Sequence, residues 1–181
     1  FLFYYYNALV INYSKIDQSK ALEALNQAKR NTVIQSLPTF GAFIYLNMGL
    51  IYYDQKKYKT SIKHFSRLIL QKDFISLSLQ FQLKIVIAEL IIRYELNQTE
   101  IIEKKIKQVR KDYKKNLTEN KRDHHILLII EELIYCNNIR SNKKLQSKIK
   151  LVKSMELDSI AQNIDIINYN EWLERLSPQL K

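Results

Sequence analysis

Glycine and proline are nearly missing from this chain, which has two of each among 181 residues. Sandwiches, barrels and doubly wound sheets need such residues at short intervals to turn the chain. Their scarcity excludes those architectures and leaves an all-α fold of helices joined by short polar turns. Cysteine is scarcer still: Cys136 stands alone, so no internal disulfide can form, and a reducing cytoplasm is the expected setting. The sequence also lacks any run of about 18 or more apolar residues, the length a membrane-spanning helix needs. The opening "FLFYYYNALVI" is apolar but has neither an initiating methionine nor the basic flank of a signal peptide. The chain therefore reads as the C-terminal part of a longer protein, or as what remains after a leader is removed.

Acidic residues are outnumbered, 18 against 29 lysines and arginines, for a formal net charge of +11. Such an excess attracts nucleic acid or anionic membrane. It is carried mostly by lysine, in a chain also crowded with isoleucine, asparagine and tyrosine, and all four have AT-rich codons. A biased base composition gives the same balance without selection for binding. Hydrophobic content of 46% and charged content of 26% are ordinary for a globular chain. The length suits one domain with a real core, or one continuous repeat array.

Apolar residues recur at helical spacing almost from end to end. The spacing predicts helices over 2–14, 18–35, 39–55, 58–72, 75–96, 98–116, 121–137, 141–153 and 164–177. The separators "SKIDQS", "DQKKY", "LNQTE", "NLTENKRD" and "CNNIRSN" are rich in residues that cap helices and make turns. Links this short imply antiparallel neighbours. In the one proline-marked interior gap, residues 31–41, Pro38 can start a helix and Gly41 can relax its first turn. No change of composition there separates domains, so residues 1–181 read as a single helical domain.

Gly49 sits inside an apolar helical run, where glycine costs about 1 kcal/mol relative to alanine. Around it the order is Tyr45, Met48, Gly49, Tyr52, the turn "DQKK", then Tyr58, Ser61, Phe65 and Leu68. This resembles the tetratricopeptide repeat, in which small and aromatic residues alternate on two helices that cross closely. The resemblance implies that a side chain at Gly49 would collide with the second helix, with Ser61 opposite and Tyr52 and Phe65 filling the wedge. A weaker copy runs through Tyr5, Ala8, Leu9, Asn12, Ala21, Leu25 and Ala28, with Ala21 matching Ser61 at 61 − 21 = 40 residues. The family period is ~34, and the long link at residues 31–41 absorbs the difference. Downstream the likeness fades: Ala88 falls near the small site, and Ile102, Ile106, Val109 and Tyr113 make an apolar stripe. Residues 121–153 have the helix lengths of a fourth pair. Ile166, Tyr169, Trp172, Leu173 and Leu176 suit a helix that caps the array, with Pro178 stopping it.

Candidate chemistry is sparse. His124 and His125 are adjacent, so on a helix they diverge and cannot chelate one metal, and His64 lies far off in sequence. Cys136 follows the apolar run "ILLIIEELIY" and reads as a partly buried thiol. Glu131 and Glu132 diverge in the same way, and two glycines leave no room for a phosphate-binding loop. No catalytic residue, metal or cofactor is expected, and the chain reads as a non-enzyme. The strongest basic run is "EKKIKQVRKDYKK", where Lys104, Lys107, Lys111, Lys114 and Lys115 face outward with Glu103 and Asp112 as local counterions.

In tetratricopeptide arrays the first helix of each pair lines a concave surface that binds peptides or partner segments in many members. On a 40-residue offset that wall would carry Phe3, Tyr6, Val10 and Tyr13, then Phe43, Leu46, Leu50 and Tyr53, then Leu83, Val86, Leu90 and Arg93. A wall so apolar suits an amphipathic helix or an extended hydrophobic peptide, unless preceding residues or the chain's own C-terminal helix cover it. The lysine, asparagine and arginine that clamp a terminal carboxylate in one subset of the family are replaced here by Leu46 and Leu50, which argues against such a clamp. The resemblance thus implies a superhelical array with a C-terminal capping helix that acts as a protein-interaction scaffold. The alternative is a nucleic-acid-associated or regulator sensor module that uses its lysine-rich helix faces.

Overall fold

The computed structural model describes residues 1–136, 138–155 and 165–176; Pro178 lies outside them. Every regular element among the described residues is helical. The chain divides into two compact units, Phe1–Leu77 and Ser78–Lys181.

The first unit contains α1 (Leu2–Ile16), α2 (Gln18–Arg30), α3 (Thr32–Gln35), α4 (Asn47–Asp54) and α5 (Tyr58–Ile69). A single residue parts the first two helices. Asp17 ends α1 in extended conformation, and its carboxylate accepts from the Ser19 and Lys20 N–H groups at 3.0 and 3.2 Å, satisfying donors that open α2. Ala21, Ala24, Leu25 and Ala28 form the buried stripe of α2, which packs on α1. The helix expected over 18–35 is cut at Asn31, whose side chain accepts from Val33 and Ile34 N–H and starts α3 instead.

A π-helical turn, Ala42–Leu46, runs straight into α4. Gly41 just before it has an ordinary helical φ of −59°, so backbone freedom is not why glycine stands there. A Cβ would lie 3.0 Å from Gln71 Cγ, which makes Gly41 a point of close approach. Gly49 is a tighter case: its Cβ would fall 2.7 Å from both Cδ2 and Cε2 of the fully buried Phe65. The buried Ser61 hydroxyl donates to the Gly49 carbonyl at 2.7 Å, tying α5 to α4 where the missing side chain lets them approach.

The second unit contains α6 (Leu79–Glu95), α7 (Thr99–Asp112), α8 (Lys114–Glu119), α9 (Lys121–Leu133), α10 (Lys143–Ser154) and α11 (Tyr169–Leu176). Residues Gln82 to Ile92 of α6 are all buried, as expected for a helix apolar almost all round. It packs on α7, α8 and α9, and α9 packs on α10. The buried side of α7 is Ile102, Ile106 and Val109, as the sequence pattern requires.

The turns closing α4–α5 and α6–α7 are copies of each other. Lys56 and Asn97 both adopt left-handed backbone, with φ of 57° and 56°. Lys57 N–H bonds Tyr52 O and Lys56 N–H bonds Tyr53 O, while Gln98 N–H bonds Arg93 O and Asn97 N–H bonds Tyr94 O. This is the Schellman pattern that ends a helix by satisfying its last carbonyls. The offset between the copies is 97 − 56 = 41 residues, one more than the sequence comparison used. Leu90 and Ile102 therefore stand where Gly49 and Ser61 do, so the close glycine–serine crossing is not repeated. The positions equivalent to Phe43, Leu46, Leu50 and Tyr53 are Lys84, Ile87, Ile91 and Tyr94.

Candidate functional site

Seven of the twelve residues expected to line a binding wall are buried: Val10, Phe43, Leu46, Tyr53, Leu83, Val86 and Leu90. They belong to the core, because in the first pairs the wall closes on itself, as where the Phe3 ring meets Phe43 edge-on at 5.1 Å. Phe3, Tyr6, Tyr13, Leu50 and Arg93 are half-buried. Arg93 is not available as a free cation: it bonds Glu89 at 2.6 Å and Gln98 at 2.7 Å.

Exposed apolar side chains gather on α1. Tyr4, Tyr5, Ile11 and Ile16 are 75%, 56%, 54% and 83% exposed, and Lys15 is the single charged residue of the helix. The helical spacing of "FLFYYYNALVI" carried the signal, since apolar residues occur on every side of it. An open cleft of about 560 Å³ is lined by Ser19, Glu23, Asn26 and Arg30 of α2 and by Tyr52 of α4.

In the second unit a buried polar cluster joins α6, α9 and α11. The Asp123 carboxylate, fully buried, accepts from Gln80 Nε2 at 2.8 Å, Lys84 Nζ at 3.4 Å and the Tyr169 hydroxyl at 3.0 Å. Burial pushes the Asp123 carboxyl above its ordinary value against the opposing pull of Lys84 and Tyr169. Burial and the neighbouring Asp123 drive the Tyr169 hydroxyl well above the usual tyrosine range. Beside them Arg122 bonds Asp165 at 2.9 Å and the Val152 carbonyl at 2.7 Å, and lies over the Tyr169 ring. Glu89 on α6 is likewise buried but paired, with Arg93 and with Lys105 at 2.8 Å.

The basic run stands as expected in outline. Lys104, Lys107 and Lys111 are exposed on α7 at the three- and four-residue spacings that align on one helix face, and Lys114 is exposed at the start of α8. Their expected counterions are engaged elsewhere: Asp112 accepts from Gln108 at 2.5 Å, and Glu103 bonds the Tyr135 hydroxyl. Among the described residues, Lys115 is the one of the five that reaches an acid, Glu119, at 3.7 Å. Glu131 and Glu132 diverge, to Arg110 and to Lys144 and Lys148. His124 and His125, expected to diverge, instead lie ring beside ring at 6.0 Å. Cys136 is half-buried. Among the described residues no cluster of three or more His, Cys, Asp or Glu is placed to hold a metal.

His64 carries a pH dependence. It stacks on Tyr52 at 5.4 Å, and burial, then Lys29, then Arg67 lower its pKa from the ordinary 6.5. The unfolded chain takes up the proton before the folded one does, so this residue's contribution falls as pH drops through 6.5. His125 is shifted the same way. In urea titrations, wild type should therefore lose stability on acidification to about pH 5, and His64→Gln should lose less.

The class these features define is an all-helical protein, and among the described residues no helix is long and apolar enough to cross a membrane. Comparison of the chain with models of known families, with curated proteins and with solved structures finds no match.

Proposed function

We propose that the chain is a non-enzymatic protein-interaction scaffold built of tetratricopeptide-like helix pairs and working in the cytoplasm. The observation that carries this reading is the outward face of α1, where Tyr4, Tyr5, Ile11 and Ile16 meet solvent. Contiguous apolar surface of this kind marks interaction sites. In an array of stacked pairs, it is the face on which a further helical element would rest. The Gly49–Phe65 approach and the repeated turns support the repeat reading. The partner this face suits is a protein segment presenting an apolar helix.

The test is retention from cell lysate on the immobilised chain, before and after nuclease treatment. A nuclease-resistant protein partner is expected, with affinity falling about tenfold or more for a Tyr5→Glu/Ile11→Glu variant of unchanged helicity. Equal capture by that variant would remove the α1 face from the proposal.

A second reading has its own observation, the four lysines of α7 and α8 that lack acidic partners among the described residues. On that reading, retention disappears with nuclease. Binding then weakens with salt by a slope of roughly 0.9 per phosphate neutralised, whereas an apolar face responds little.

A further inference from the structure

The last described helix, α11, is held as a peptide ligand is held. It has eight residues, fewer than the roughly 12 to 15 an isolated helix needs in water, so its conformation depends on the groove that receives it. Its buried anchors are Tyr169, Trp172, Leu173 and Leu176, the i, i+3, i+4, i+7 pattern by which amphipathic helices enter grooves. Two anchors also donate hydrogen bonds. The Tyr169 hydroxyl reaches Asp123 on α9 at 3.0 Å, and the Trp172 indole N–H reaches Glu95 on α6 at 3.2 Å. The Trp172 ring meets Tyr94 edge-on at 6.2 Å, and α10 packs alongside.

The acid on the groove floor keeps partners without its occupant. Asp123 keeps Gln80 and Lys84, both on α6, when the Tyr169 hydroxyl leaves. Arg122 keeps the Val152 carbonyl of α10 when Asp165 leaves. Opening the site therefore leaves Asp123 its ionic partner, whose loss is what makes removal of an ordinary core element so costly, while Arg122 gives up Asp165 and the Asn170 side-chain carbonyl. What it exposes is an apolar slot with two acidic acceptors, set to receive donors three residues apart on one helix.

We propose that the groove between α6, α9 and α10 is a docking site for a partner's amphipathic helix carrying an aromatic hydroxyl and an indole donor, with α11 as its resident competitor. This rests on the scaffold reading but uses a different surface from α1. Loss of capture by the Tyr5→Glu/Ile11→Glu variant bears on that face alone.

The probe is a fluorescein-labelled peptide of residues 165–176, "DIINYNEWLERL", added to the full chain and followed by fluorescence anisotropy. Wild type should bind it weakly, because only the fraction with an open groove is competent. Trp172→Ala, which loosens the resident helix, should bind about tenfold more tightly. Tyr169→Phe keeps the ring and loses the hydroxyl, and should give a smaller gain in the same direction. In that variant the emission of Trp172, the single tryptophan of the chain, should shift to the red. A peptide with alanine at both aromatic positions should not bind. The proposal is overturned if Tyr169→Phe, shown folded by circular dichroism, binds no more tightly than wild type, whatever becomes of Trp172→Ala. A dimer that exchanges α11 between two copies would overturn it as well, by assigning the groove to a second copy of this chain.

Discussion

Asp123→Ala is expected to lower the stability of the second unit by about 3–5 kcal/mol, the cost of breaking a buried charge pair from one side. Lys84 is 2% exposed and has Asp123 as its one ionic partner among the described residues. Without the carboxylate its ammonium stays buried and uncompensated, and the Tyr169 hydroxyl and Gln80 amide lose their acceptor in the same step. The control is the double variant Lys84→Met/Asp123→Leu, which removes both charges and fills the space. It should lie well above the single variant and near wild type, because a buried ion pair contributes little net stability over a packed apolar pair. Urea unfolding of the three proteins, read as midpoints at constant slope, decides it. Equal loss in single and double variants would mean that the pair itself, and not the orphaned charge, holds the unit together.

Gly49→Ala is the second large effect, and its sign runs against helix propensity. Alanine gains about 1 kcal/mol over glycine in a helix interior. Here its methyl would lie 2.7 Å from two ring carbons of Phe65, which is fully buried and cannot swing away. Overpacking of this kind costs about 1–3 kcal/mol and more where the backbone must shift. The crossing also carries the Ser61–Gly49 bond, which lengthens if the helices part. A net loss of about 1–2 kcal/mol is expected, equal to a Tm lower by roughly 4–8 °C per kcal/mol in a unit of this size. Phe65→Leu destabilises alone by opening a cavity, but in the Gly49→Ala background it should restore part of the loss. The double-mutant cycle should show a coupling of about 1 kcal/mol or more. Additivity would place the strain somewhere other than the ring.

Much of the fold could be read from the chain because helical spacing is a local property. The buried stripes Ala21–Leu25–Ala28 and Ile102–Ile106–Val109 fall where the periodicity puts them. Gly49 was informative for the same reason: a costly residue in a good helix points to a neighbour that needs its space. The periodicity carries a helix through Asn31, because nothing local says whether its side chain will point outward or turn back to cap Val33 and Ile34. The wall residues were the least legible. Whether Phe43 or Leu46 faces solvent depends on what packs against it, and a one-residue difference in offset moved the third set from Leu83 to Lys84. The Asp123 cluster gave no sequence signal, because its members lie 39 and 46 residues apart and meet only through tertiary packing. Lys84, a lysine inside the apolar run "LKIVIAELII", is the one hint, and it names no partner.

The matched turns at Lys56 and Asn97 bear on the order in which the molecule assembles. Each is closed by hydrogen bonds spanning three to five residues, so it can form as soon as its own segment exists. Loops of about ten residues close within roughly 10–100 ns. Each turn brings two consecutive helices together, and chains dominated by such near-neighbour contacts fold quickly. A nascent chain carrying α4, the Lys56 turn and α5 already holds both sides of the Gly49–Phe65 contact, so this pair can form before the second unit has been synthesised.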